Sequence, residues 1–211
     1  MLMHGERAAK TVRVKVCGIT RLEDALTAER LGAWAVGFVF APSKRRIEPG
    51  VAAKIGSRLG PFVSRVGVFV DADPEEVLAV AAKARLSVLQ LHGNEPPEWA
   101  ERLRKYLPVV KAFRLSARAD PGWRDYPADA ILLDGAVPGS GRSYDPAWLE
   151  PLADHPRLIV AGGLTPERLP ELFAHLCPYA VDVSSGVESV PGIKNESRLR
   201  AFLQAARRGC G

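Results

Sequence analysis

A chain of 211 residues, 47% hydrophobic and 25% charged, has the composition of a globular protein and the length to bury a large core within one domain. No apolar run approaches the roughly 20 residues that span a bilayer. Met1 to Lys10 also lacks the apolar centre of a signal peptide, so residues 1–11 read as a frayed extension on a cytoplasmic protein. The net charge of +5 is scattered among acids, with no basic stretch interleaved with aromatics; this argues against nucleic acid and suits a small anionic ligand.

The first element is a short strand, Val14-Lys15-Val16-Cys17, alternating with a period of two and ending at Gly18, where a turn is cheap. Thr20 and Glu23 stand in capping-box spacing and predict a helix over about 21–31. Trp34 to Phe40 is a nearly continuous apolar run, as a strand buried on both faces requires. A basic loop follows, with Lys44, Arg45 and Arg46, and then a helix opened by Pro49. Phe62 to Val70 is the third strand, and Asp73-Pro74-Glu75-Glu76 starts the third helix. Ser87 to Leu91 runs into His92-Gly93; a helix over 96–106 and a strand over 109–113 come next. Pro121 and Gly122 make the fifth helix short or irregular. Ala130 to Asp134 feeds a glycine-rich loop, Gly135 to Gly141, and Asp145-Pro146 opens a short helix. Arg157 to Ala161 ends at Gly162-Gly163, and Thr165-Pro166-Glu167 caps the seventh helix. Tyr179 to Val183 is followed by Ser184-Ser185-Gly186, and the last helix starts near Asn195.

Eight strand–helix units without a linker predict a single-domain (β/α)8 TIM barrel over 12–208. An open doubly wound sheet would carry a G-x-G-x-x-G turn after its first strand, which is absent. In such a barrel, function sits at the carboxyl ends of the strands. That rule selects Cys17, Arg45, His92, Asp134, Gly162, Gly163, Ser184, Ser185 and Gly186. The two glycine-containing turns after strands seven and eight form an expected phosphate site, their backbone N–H groups open to an anion. Cys17 and Asp134 lie across the mouth from each other, a thiol and a carboxyl able to divide base and acid work. Each has a plainer alternative: Cys17 as a small buried hydrophobe, Asp134 as a helix cap. Arg45 has a planar fork suited to a carboxylate, with Arg46 as its solvated neighbour. His92 is either a ligand-facing donor or packing beneath the loops. Cys17, Cys177 and Cys210 show neither a disulfide framework nor metal-ligand spacing, as expected of a reducing compartment without a metal.

The segments VKVCGIT, GFVF with SKRRI, VGVFV, LQLHG, ILLDG with a later GSG, AGGL, and VDVSSGVE with PGIK resemble the phosphoribosylanthranilate isomerases of tryptophan biosynthesis, from about Val12 to Cys210. The resemblance implies an Amadori rearrangement of a phosphorylated, doubly anionic small molecule, without metal or organic cofactor. It implies Cys17 as general base, Asp134 as general acid, and Arg45 as the holder of the anthranilate carboxylate. It implies a phosphate site at Gly163 and Ser184-Ser185-Gly186. Asp182 and His92 match motif positions without an assigned role. The loop after Asp134 is shorter than in many members, with GSG where GGSG is common. No nucleic acid or membrane partner is implied, and a monomer or a homodimer is compatible with a barrel, which has no open sheet edge. Competing readings are another phosphosugar barrel, such as a histidine-pathway isomerase or indole-glycerol-phosphate synthase, and a non-catalytic phospholigand sensor. The first expects two carboxylates where Cys17 stands, the second a lysine–glutamate set not found here, and an intact Cys17 and Asp134 argue against the third.

Overall fold

A computed structural model describes residues 11–135 and 145–210. The expected extension at Met1 to Lys10 and most of the Gly135–Gly141 loop lie outside the described residues.

Eight parallel strands close into a barrel in chain order. They are β1 (Arg13–Val16), β2 (Ala35–Val39), β3 (Ser64–Phe69), β4 (Val88–Leu91), β5 (Val109–Arg114), β6 (Ala130–Asp134), β7 (Leu158–Ala161) and β8 (Ala180–Val183). Their apolar runs follow from burial on two sides, by the barrel interior and by the helices outside. Val36, Phe38, Leu132, Leu133, Val160 and Val181 are wholly buried.

The outer layer holds α1 (Leu22–Arg30), α2 (Pro49–Gly56), α3 (Pro74–Ala84), α4 (Pro97–Leu103), α5 (Leu169–His175) and α6 (Glu196–Arg208). After β5 and β6 the connections are 3-10 segments, Pro121–Asp125 and Pro146–Leu152, the first of them the irregular fifth helix that Pro121 and Gly122 predict. Asp73 caps α3 by accepting from the Glu75 N–H at 2.8 Å, and Asn195 caps α6 through the Arg198 N–H at 3.0 Å. The buried face of α6 is Leu199, Phe202, Leu203 and Ala206.

Three expectations change, and one element is new. Thr20 does not cap α1: the cap position is Arg21, and the Thr20 hydroxyl donates to the Gly192 carbonyl at 2.6 Å. Thr165 does not start α5, because residues 165–168 form a separate turn closed by Arg168 N–H on the Thr165 carbonyl. A small antiparallel hairpin, β9 (Glu188–Val190) and β10 (Ile193–Lys194), stands between β8 and α6. Finally, Cys177 and Cys210 are disulfide-bonded, with their Cα atoms 5.7 Å apart. Cys177 precedes β8 and Cys210 follows α6, so docking α6 beside β1 and α5 brings together two cysteines that show no sequence pattern.

At the amino-terminal end of the strands the Arg13 guanidinium is stacked between Trp34 and Tyr179, 4.5 and 4.4 Å from their ring centres. A cavity of about 250 Å³ opens there, away from every strand end that carries candidate chemistry. Closing a loop across 33 residues of sequence separation stabilises a fold by about 3–4 kcal/mol in the chain-entropy picture. Reduction of the bridge, or Cys177→Ser with Cys210→Ser, is therefore expected to lower Tm by about 5–15 °C. A differential scan with and without reductant checks it; an unchanged Tm refutes it.

Candidate active site

A cavity of about 220 Å³ lies at the carboxyl ends of the strands, and all ten residues singled out from the sequence line it: Cys17, Arg45, His92, Asp134, Gly162, Gly163, Asp182, Ser184, Ser185 and Gly186. They come from β1, β2, β4, β6, β7 and β8 or the loops just beyond, so barrel closure alone assembles them.

Cys17 ends β1. Its N–H donates to the Val183 carbonyl at 2.8 Å, which sets the thiol beside the turn after β8. Gly18 takes φ 74°, and a methyl there would come 2.5 Å from Arg45 Cδ and 3.1 Å from Ser184 Oγ. The thiol itself rests on Gly37 of β2, where a methyl would lie 2.8 Å from Sγ. Burial pushes the Cys17 thiol above its ordinary pKa and Asp182 adds to the rise; Lys15 and Lys194 pull against them. Lys15 lies on the same face of β1, its Nζ 2.7 Å from Asp182 Oδ2. Burial likewise holds the Asp182 carboxyl above the usual range, against the pull of Lys15.

Asp134 ends β6, and His92 Nε2 lies 3.2 Å from its Oδ2. The other ring nitrogen, Nδ1, is 3.0 Å from Gln90 Nε2. With the Gln90 amide nitrogen facing it, Nδ1 must accept, which leaves the proton on Nε2 directed at Asp134. His92 thus lines the cavity with Nε2 beside the Asp134 carboxyl, rather than packing beneath the loops.

Arg45 is not free to use its whole fork. Its Nε and Nη2 bind both oxygens of Glu188 at 2.8 and 2.7 Å, and that bidentate contact raises its already high pKa. Glu188 also takes Lys194 Nζ at 2.9 Å. Burial pushes the Glu188 carboxyl up, but its two cations hold it below the usual range. Lys194 in turn donates to the carbonyls of Cys17 and Ser184 at 2.5 and 3.3 Å. Arg46 is exposed and lies 3.7 Å from Glu48, the solvated charge expected of it.

Gly162 and Gly163 take φ 96° and 62°, which only glycine adopts without strain. Ser185–Val187 forms a 3-10 turn, whose leading N–H groups have no partner within it. A methyl on Gly186 would run into the Leu164 carbonyl, so the turns after β7 and β8 can pack together only through glycine. Among the described residues no group of three or more His, Cys, Asp or Glu could hold a metal ion.

Sequence reasoning passed over Lys15, Gln90, Glu188 and Lys194. The first two were within reach, because each stands two positions before a chosen residue and so shares its inward face. Glu188 and Lys194 depend on the unannounced hairpin. Gly37→Ala is expected to displace the Cys17 sulfur and lower kcat by at least about tenfold with little loss of stability. Steady-state kinetics beside a thermal melt checks this; wild-type kcat would show that the sulfur can shift without consequence.

The family model for N-(5'-phosphoribosyl)anthranilate (PRA) isomerase matches residues 14–205. The N-(5'-phosphoribosyl)anthranilate isomerase of Thermotoga maritima is 45% identical over 205 residues, covering 93% of this chain and 98% of that one. The crystal structure of phosphoribosyl anthranilate isomerase from Thermus thermophilus superposes with a TM-score of 0.88 at 59% identity, covering 92% of this chain and 98% of that one. A phosphoribosyl anthranilate isomerase in complex with reduced 1-(o-carboxyphenylamino)-1-deoxyribulose 5-phosphate superposes at 0.84, with 43% identity and the same coverage. The barrel, the residues at its mouth and these matches along nearly the whole chain agree: the protein belongs to the phosphoribosylanthranilate isomerase family of tryptophan biosynthesis.

Proposed function

We propose that Cys17 and Asp134 are the general base and general acid of the family's Amadori rearrangement, converting N-(5'-phosphoribosyl)anthranilate to 1-(2-carboxyphenylamino)-1-deoxyribulose 5-phosphate. One observation carries this assignment. A thiol and a carboxyl from opposite strands share a cavity with two glycine turns open to an anion. Asp134 gives a proton to the ribose ring oxygen, the C1'–O bond breaks, and the sugar opens to a Schiff base. The Cys17 thiolate then removes the C2' proton, and the electron pair left behind forms the enolamine. Protonation at C1' and loss of the enol proton give the ketone. Each positioned proton transfer contributes about 10² to 10⁴ in rate.

The turns at Gly162-Gly163 and Ser184-Ser185-Gly186 hold the phosphate and do no chemistry; they fix one end of the substrate so that C2' lies against the sulfur. The complex of a relative with a reduced 5-phosphate product supports a ligand of this class. The anthranilate carboxylate goes to the edge of Arg45 left over by Glu188, so Glu188 fixes the direction from which the carboxylate is met.

The reading includes a cytoplasmic setting and a monomer or homodimer. No helix among the described residues is long and apolar enough to cross a membrane. The Cys177–Cys210 bridge is the observation against a reducing compartment, with intracellular proteins of hot habitats the known exception.

Cys17→Ser and Asp134→Asn are each expected to lower kcat by at least about 10²-fold with an unchanged melt. Near wild-type kcat in either variant removes that residue from the mechanism. Arg45→Lys keeps the charge but loses the fork, and should lower kcat/KM by about tenfold or more. Arg46→Lys should change it little, and the reverse order would place the carboxylate on another cation.

A further inference from the structure

We propose that Lys15 is the positioning cation that works against the burial of Cys17 and favours its thiolate form, and that Asp182 fixes Lys15 in place for that task. The inference rests on Cys17 being the base.

Lys15 and Cys17 are separated by one residue on β1, so both side chains enter the barrel on the same face. Asp182 is the direct partner of Lys15 across the β1–β8 pairing, and Lys15 Nζ lies 2.7 Å from Asp182 Oδ2 with both side chains about 7% exposed. An ammonium has three donors, so the bond to Asp182 leaves Lys15 others to offer its neighbours. The same small space above Gly37 holds both groups: a methyl there would lie 2.8 Å from Cys17 Sγ and 3.2 Å from Lys15 Cε.

A buried ion pair is a poor way to stabilise a barrel core, since an apolar pair of similar volume does as well or better. This pair is also incompletely bonded, because Asp182 Oδ1 is buried with no hydrogen-bond partner among the described residues. The charges facing Cys17 leave one candidate for the task. Arg45, from the loop after β2, and Lys194, from β10, share the single carboxylate of Glu188. Asp182, from β8, opposes the thiolate, and His92 and Asp134 act on Asp182. Lys15 is the cation that shares the space above Gly37 with the sulfur. Burial would push its ammonium down, yet Asp182 and Cys17 keep it above the usual lysine value, so it stays charged through the working range.

The test is the pH dependence of Cys17 alkylation by iodoacetamide in the intact chain. Cys177 and Cys210 are bridged and Cys17 is the free cysteine, so one site is read. Lys15→Met should move the midpoint upward by at least about one unit, giving roughly tenfold slower alkylation near neutrality. Asp182→Asn should move it the other way, because the opposing charge goes and the cation stays. A packing role would give no such opposite pair. Should Lys15→Met alone fail to fold, Lys15→Met with Asp182→Asn compared with Asp182→Asn alone reads the same upward shift. An unmoved midpoint in Lys15→Met, or in that comparison, overturns the proposal. The acid limb of kcat in Lys15→Met should rise with the alkylation midpoint. Loss of turnover in Cys17→Ser beside an unmoved midpoint in Lys15→Met would sink this inference alone; retained turnover in Cys17→Ser would sink the base assignment beneath it.

Discussion

The seam between β1 and β8 is the contact on which the rest depends. Four consecutive residue pairs join the strands, from Arg13 with Ala180 to Val16 with Val183. The Cys17 N–H then continues the ladder to the Val183 carbonyl. A sheet left open here would separate the thiol from the serine turn by the width of the whole sheet. Closed, it makes the two ends of the chain neighbours. Its stability comes from Val14, Val16, Val181 and Val183, each buried and each contributing about 1.5–3 kcal/mol. The Lys15–Asp182 pair within it contributes little by comparison, since desolvation of two charges offsets their attraction.

Beneath the mouth lies a layer of inward-facing polar side chains. Lys15, Gln90 and Asp182, on β1, β4 and β8, are all buried. Gln90 is tied to His92 at the carboxyl end, and Lys15 and Asp182 are tied to each other. Apolar residues would fill this layer more cheaply. The polar layer instead sets His92 beside Asp134 and Lys15 beside Cys17. The hairpin works from the other side. Its Glu188 and Lys194 join Arg45, the Cys17 carbonyl and the Ser184 carbonyl into one hydrogen-bonded frame, so the Arg45 guanidinium and the Cys17 backbone are held through shared partners.

The strands were legible because a parallel barrel strand must be apolar on both faces, and runs such as WAVGFVF and AILLD have no other stable use in a chain this size. Position did the rest for the site: once the strand ends were known, Cys17, His92 and Asp134 followed, and all ten chosen residues line one cavity. Local signals did less well where tertiary contacts compete. Thr20 fits a capping box, but a hydrogen bond to Gly192, far along the chain, takes its hydroxyl. The β9–β10 hairpin is too short for a period to register. Cys177 and Cys210 pair because α6 docks where it does, which no spacing records. Lys15 was hidden differently. A lysine inside a strand reads as solvent-facing, and only its phase relative to Cys17 argues otherwise.

Buried polar atoms left without a partner are not spread evenly. Among the described residues, Gln90 Oε1, Asp182 Oδ1 and Ser184 Oγ belong to residues lining the cavity at the carboxyl ends of the strands, whereas Arg13 Nε and Arg65 Nε stand near the starts of β1 and β3. An unpaired buried polar group costs about 1–3 kcal/mol. Two of the three atoms, Gln90 Oε1 and Asp182 Oδ1, are acceptors, and the opened ribose chain brings hydroxyl donors. An apolar mouth would be more stable empty, but it would give the substrate's hydroxyls nothing to select one orientation over another.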